Sequence, residues 1–176
     1  GTTPVVMTYW NLVDHYGVDA FARDLAAAGG AGLITPDLVP DEAPDWFAAS
    51  DAHGLDRIFL VSPSSSDERI AATAKACRGW LYATAVMGVT GTREQSSSVA
   101  PDLVARVRTL APNTLVGVGL GISTGDQAAQ VAAYADAAIV GSAFIKPMLA
   151  AEDAGTPDDL TGVRRVLADL VAGVRR

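Results

Sequence analysis

Residues Val116 to Ser123 read Val-Gly-Val-Gly-Leu-Gly-Ile-Ser, and some twenty residues later Ile139 to Ala143 read Ile-Val-Gly-Ser-Ala. Each is a short apolar run that ends in glycine and hydroxyl residues and gives way to a helical pattern. That is how a buried strand delivers backbone amides to a helix N-terminus, a place to hold a phosphate. Glycine lets the main chain approach an anion with no Cβ in the way, and the free amides and dipole of the following helix supply positive potential. One such segment alone is more often an ordinary tight turn; two on successive strands make a matched pair.

Other residue types that bear chemistry lie at strand ends. Tyr9 and Tyr82 would form an aromatic, largely apolar pocket with phenolic tips, suited to a flat ring, or else pack in the core. Asp37 closes the second strand and could serve as a base, but capping the next helix or holding a neighbouring loop is the favoured reading. His15 is expected in a loop and His53 near a helix end. Neither has a companion acid or nucleophile at a telling spacing, so they receive no chemistry and no metal site is assigned. Thr90 and Ser64 to Ser66 are read as surface-loop hydroxyls. The strand ends show no pair of carboxylates suited to acid and base work.

The elements that must position these groups fit in one domain, residues 1–176. With 49% hydrophobic and 19% charged residues the chain is not disordered. No apolar run reaches the ~20 residues of a membrane span. A net charge of -7 argues against nucleic acid as a partner. A small anionic substrate stays open, because local amides can outweigh the global field. The single cysteine, Cys77, is expected to be buried and inert at an inward-facing helical position. With no cationic-then-apolar leader in the sequence, the cytoplasm is the expected compartment.

Strands are expected at 5–9, 32–35, 58–61, 80–85, 115–118 and 138–140. Val5 to Tyr9 is apolar enough for a strand covered on both faces. Helical patterns follow each strand: Val18, Phe21, Ala22 and Leu25, then 41–52 with Trp46 and Phe47 inward. Next comes a helix started by a Ser65–Glu68 capping box, with Ile70, Ala74 and Cys77 inward. A helix opened by Pro101 buries Leu103, Val104, Val107 and Leu110. Helices at 127–134, 143–149 and 158–176 complete the series, and Met87 to Gly91 is read as a hydroxyl-bearing loop. Such alternation means right-handed βαβ units and a parallel sheet. The fold class is therefore α/β, with an open doubly wound sheet as the competitor. The preferred architecture is a (β/α)8 TIM barrel, whose phosphate site is built from the loops after its last two strands, here an N-terminally truncated six-strand portion.

The motifs Met7-Thr8-Tyr9-Trp10-Asn11, Tyr16 to Phe21, Leu33 to Glu42, Arg57 to Pro63, Met87-Gly88-Val89-Thr90-Gly91, Gly117 to Ser123 and Ile139 to Ala143 together resemble the α subunit of tryptophan synthase. The resemblance covers essentially the whole chain. It implies a lyase that cleaves indole-3-glycerol phosphate to indole and glyceraldehyde 3-phosphate in tryptophan biosynthesis. The indole passes to a β subunit, in an alpha2-beta2 type complex, that carries pyridoxal phosphate; no cofactor is expected in this chain.

By that resemblance the substrate phosphate lies on the amides of Gly91, Gly121, Gly141 and Ser142. The indole lies among Tyr9, Ile34, Leu60, Tyr82, Leu120 and Ile139. Thr90 matches the threonine of the mobile loop that closes over substrate, and Asp37 the aspartate that couples closure to the β subunit. The family's catalytic Glu and Asp stand at and just after its second barrel strand. This sequence begins at what matches the third, so no residue here is assigned to that work and the chain alone is expected to be inactive. Two other functions fit the glycine turns: another phosphate-gripping barrel enzyme, or a non-catalytic module that binds and stimulates the β subunit.

Overall fold

The computed structural model describes residues 2–84, 99–119 and 121–176. It is α/β, and the chain divides into two compact units, Gly1–Tyr82 with Ala105–Leu115, and Ala83–Val104 with Val116–Arg176.

In the first unit, β1 (Val5–Met7), β2 (Gly32–Ile34) and β3 (Asp56–Ile58) form a parallel sheet in that order, with Met7 beside Ile34 and Ile34 beside Ile58. The central strand β2 is buried throughout. Strand β1, first in this order, is not covered on both faces as its composition suggested: Val6 is 37% exposed and Met7 54%.

The run expected as one strand at 58–61 is divided into β3 and β4 (Leu60–Val61). The division marks a change of neighbour. The Ile58 carbonyl accepts from Thr35 N–H on one side, and the Phe59 carbonyl accepts from Tyr82 N–H, in β5 (Leu81–Thr84), on the other.

Helices α1 (Trp10–Tyr16), α2 (Val18–Ala27) and α3 (Pro44–Ala52) cover this sheet. Val13, Ala22, Leu33, Leu38, Trp46, Ala49, Leu55 and Phe59 form their common core, with Phe47 packed at its margin. Burying the valine, leucine and phenylalanine side chains among them contributes about 1.5–3 kcal/mol each. Helix α1 has no counterpart in the sequence reading, and it places His15 in a helical last turn, not in a loop.

Helix α4 (Asp67–Ala76) is capped by Ser66, whose hydroxyl accepts from Arg69 N–H, and not by Ser65. Ser65 Oγ instead accepts from Ser62 N–H, which folds the turn after β4 back on itself. Arg106, on α5 (Val99–Leu110), clasps that turn: it donates to the carbonyls of Pro63 (3.2 Å) and Ser65 (2.7 Å) and to Asp67 Oδ1 (2.7 and 3.0 Å).

In the second unit, β6 (Val116–Gly119) and β7 (Ala137–Ile139) pair in parallel, with Gly119 beside Ile139. Helix α6 (Gly125–Ala132) follows β6. Helix α7 (Ser142–Asp153) follows β7 and runs four residues beyond the expected 149. Helix α8 (Thr161–Val174) lies on α6 so closely that a Cβ at Gly173 would overlap the Gly125 carbonyl oxygen. Its apolar positions do not all face inward as their spacing suggested: Leu170 is buried, but Leu160, Leu167 and Val174 are exposed.

Candidate functional site

The two glycine turns occupy equivalent places in the second unit. With Gly119 and Ile139 paired, Gly121 and Gly141 each stand two residues beyond a register partner, at the C-terminal ends of neighbouring parallel strands. Gly121 has φ +76°, in the left-handed region where a Cβ would be strained. Gly141 is the N-cap of α7, has no capping side chain, and has nothing within 4 Å of the place a Cβ would take. Ser142 opens the helix and is exposed. The amides of Gly121, Gly141 and Ser142 have no acceptor among the described residues. They are the donors a phosphate ester would take.

Helix α6 differs at the same point. Its first turn is closed by Thr124 and Gln127 in a reciprocal capping box, and Gly125 N–H donates to Asp169 Oδ2 of α8 at 2.7 Å. Among the described residues, three amides at the start of α6, those of Gly125, Gln127 and Ala128, have acceptors, whereas those of Gly141 and Ser142 at the start of α7 have none. Sequence reasoning passed over Gln127, although Thr124-x-x-Gln127 is the spacing of a capping box.

Three of the four ring-binding residues expected in the first unit lie in strands. Ile34 closes β2 and is 7% exposed, Leu60 lies in β4, and Tyr82 lies in β5. Tyr82 is half-buried, and that burial pushes its phenol above the ordinary tyrosine range. It stacks on Trp80, ring centroids 5.8 Å apart, a residue the sequence reading did not single out. The i, i+2 spacing that puts both rings on one face of the strand was its signal. Tyr9 stands at the N-cap position of α1 without a side-chain capping bond and is 63% exposed. Ile139, in the second unit, ends β7. Thr90, Gly91, Leu120 and the loop at 87–91 lie outside the described residues.

Asp37 holds a neighbouring element. Both its oxygens accept from Trp10 N–H, at 2.9 and 3.0 Å, so a carboxylate just past β2 caps the helix that follows β1. His53 does have a companion acid: Nε2 lies 3.3 Å from Asp19 Oδ1, 34 residues away and beyond the reach of a spacing argument. Cys77 is the C-cap of α4, half-buried at the margin of the core, and its thiol is pushed up to about 11 by burial. No described helix is long and apolar enough to cross a membrane.

Parallel β/α units whose last two described strands end in amide-presenting glycine turns define a protein of the (β/α)8-barrel class. Comparison narrows the class. Residues 2–166 match the family model described as tryptophan synthase alpha chain, and this chain belongs to that family. It is 62% identical to the tryptophan synthase alpha chain of Acidothermus cellulolyticus, over 100% of this chain and 64% of that protein. It is 58% identical to that of Mycobacteroides abscessus, with the same shares covered.

Among solved structures, tryptophan synthase of Mycobacterium tuberculosis in space group F222 superposes with a TM-score of 0.87 at 56% identity, over 100% of this chain and 64% of that one. The tryptophan synthase alpha subunit of Legionella pneumophila gives 0.76 at 32% identity, over 99% and 62%. The chain thus spans a little under two thirds of the length of these relatives.

Proposed function

We propose that this chain supplies the phosphate and ring subsites of a tryptophan synthase alpha chain, a lyase that cleaves indole-3-glycerol phosphate to indole and glyceraldehyde 3-phosphate in tryptophan biosynthesis. The observation that carries this reading is the pairing of Gly119 with Ile139, which sets two glycine turns side by side with the amides of Gly121, Gly141 and Ser142 unspent.

The phosphate would rest on those amides together with that of Gly91, held by charge-assisted hydrogen bonds and the dipole of α7. The indole would lie among Tyr9, Ile34, Leu60, Tyr82, Leu120 and Ile139. Thr90 closes the loop over the substrate and Asp37 couples closure to the partner.

In the cleavage, C3 of the indole gains a proton, the glycerol hydroxyl loses one, and the bond between C3 and the glycerol chain breaks. The residues named here orient and retain the substrate for that step; the acid and base are assigned to none of them. The partner is a tryptophan synthase beta subunit in an alpha2-beta2 type complex. Pyridoxal phosphate belongs to that subunit and this chain is assigned no cofactor. The reaction is placed in the cytoplasm.

Soaking crystals with indolepropanol phosphate tests the reading. Its phosphate is expected beside Gly121, Gly141 and Ser142, and a phosphate bound elsewhere overturns it. In solution, Gly141→Ala has room for its methyl group in the protein alone, so it should melt like the parent yet bind the analogue at least roughly tenfold more weakly, a loss of about 1.4 kcal/mol.

A further inference from the structure

The turn between β6 and α6 sorts its donors into two sets. Ser123 N–H (2.8 Å), Ser123 O–H (3.2 Å) and Thr124 N–H (3.2 Å) converge on the single side-chain oxygen of Gln127. Two of these three are backbone N–H groups, so the atom they meet must be the amide oxygen and not the nitrogen. Gly125 N–H goes to Asp169, and Gln127 N–H goes to Thr124 Oγ1. Gly121 N–H, two residues upstream of Ser123, has no acceptor among the described residues.

We propose that Gln127 is a positioning residue for the anion turn: by gathering the amides of Ser123 and Thr124 it fixes the turn so that Gly121 N–H points to where the phosphate sits. The proposal rests on the phosphate subsite described under Proposed function. It follows from the mechanics of a short turn. A backbone pinned on one side by two hydrogen bonds to one atom, with a hydroxyl on the same atom, keeps its remaining donor in one direction, and a preorganised donor loses little on binding. Gln127 does not touch the ligand, so its effect reaches the anion only through Gly121. The same turn, with Asp169, takes up the N–H groups of Gly125, Gln127 and Ala128 at the start of α6 and leaves that helix end less able to draw the anion away.

The test is inorganic phosphate binding, followed by titration calorimetry on the purified protein in 0.3 M sodium chloride. Gln127→Met keeps the bulk of the side chain and removes the acceptor; it should weaken phosphate roughly tenfold, the cost of one misaimed charge-assisted hydrogen bond. Gln127→Glu restores the accepting oxygen, and salt screens much of its added charge, so binding should return to within about threefold of the parent. A merely structural role would not produce that rescue.

The proposal is overturned if Gln127→Met binds phosphate like the parent, or if Gln127→Glu binds no better than Gln127→Met. Should Gln127→Met fail to fold, Gln127→Asn, one methylene too short to reach, takes its place with the same two outcomes. Failure of the subsite is separately visible, since in that case Gly141→Ala also leaves phosphate binding unchanged. If Gly141→Ala weakens binding and Gln127→Met does not, the subsite stands and the role of Gln127 falls.

Discussion

The carboxylate of Asp37 accepts the backbone N–H of Trp10 with both its oxygens, at 2.9 and 3.0 Å, across 27 residues of chain. Helix α1 has no capping side chain of its own at Tyr9, so the turn after the second strand supplies one. The negative charge also lies at the positive end of the helix dipole. Asp37→Ala should lower the free energy of unfolding by about 0.5–2 kcal/mol, the usual range for a lost N-cap, measured in urea. Asp37→Asn, which keeps one accepting oxygen, should recover most of the loss. Equal effects of the two variants would show that the cap contributes nothing.

Arg106 makes its four hydrogen bonds to a turn 39 to 43 residues away, and no other side chain type presents so many donors in one plane. Lysine cannot reproduce that fork. Arg106→Lys should therefore destabilise the protein by about 1–2 kcal/mol, discounted for a side chain that is partly exposed, and should expose residues 62–67 to cleavage by protease under native conditions. Unchanged proteolysis in that segment would contradict the clasp.

Thr35 stands just past β2, 1% exposed, and its hydroxyl has no partner among the described residues. A buried hydroxyl with nothing to bond carries a desolvation cost that a methyl group of similar size does not. Thr35→Val should be neutral or stabilising by up to about 1 kcal/mol, whereas the average core substitution destabilises. A loss above about 1 kcal/mol in thermal or urea melts would mean that the hydroxyl does have a partner in solution.

Burial raises the Cys77 thiol from 9.0 to about 11 in the folded protein. Between those values the unfolded chain gives up this proton and the folded chain keeps it, so the unfolded state binds fewer protons and stability falls as pH rises. Below pH 9 both states are protonated and the thiol contributes no pH dependence. From pH 9 to 11 the parent should lose roughly 2 kcal/mol more stability than Cys77→Ala. Parallel stability curves for the two proteins across that window would refute the shift.

Much of the fold was legible because its signals are local. Glycine stops at Gly29 and Gly54 and apolar runs at β2, β5 and β6 all act within a few residues, whereas the helices expected to start at 41 and at Pro101 are described from Pro44 and from Val99. What could not be read depended on partners distant in the chain. Helix α1 is capped by Asp37, His53 meets Asp19 from 34 residues away, and β1, first in its sheet, is half-exposed despite its apolar composition. The Ser66 cap was missed by one residue within a run of three serines, where spacing alone cannot choose. In the candidate site, Gly121, Gly141 and Ser142 stood out by residue type. Gln127, on which the proposed aim of the turn depends, carried only a weak capping signature.

Gly125 and Gly173 bring the backbones of two helices together with no side chain between them. A side chain in such a joint would act as a spring, yielding by rotating about its bonds; bare main chain has no such give. Movement of the last helix should therefore be passed to the start of α6, through this backbone contact and the Asp169 side chain that accepts from Gly125 N–H, and from there to the turn that Gln127 holds. Changes in α8 should thus alter how firmly an anion is gripped at the proposed subsite.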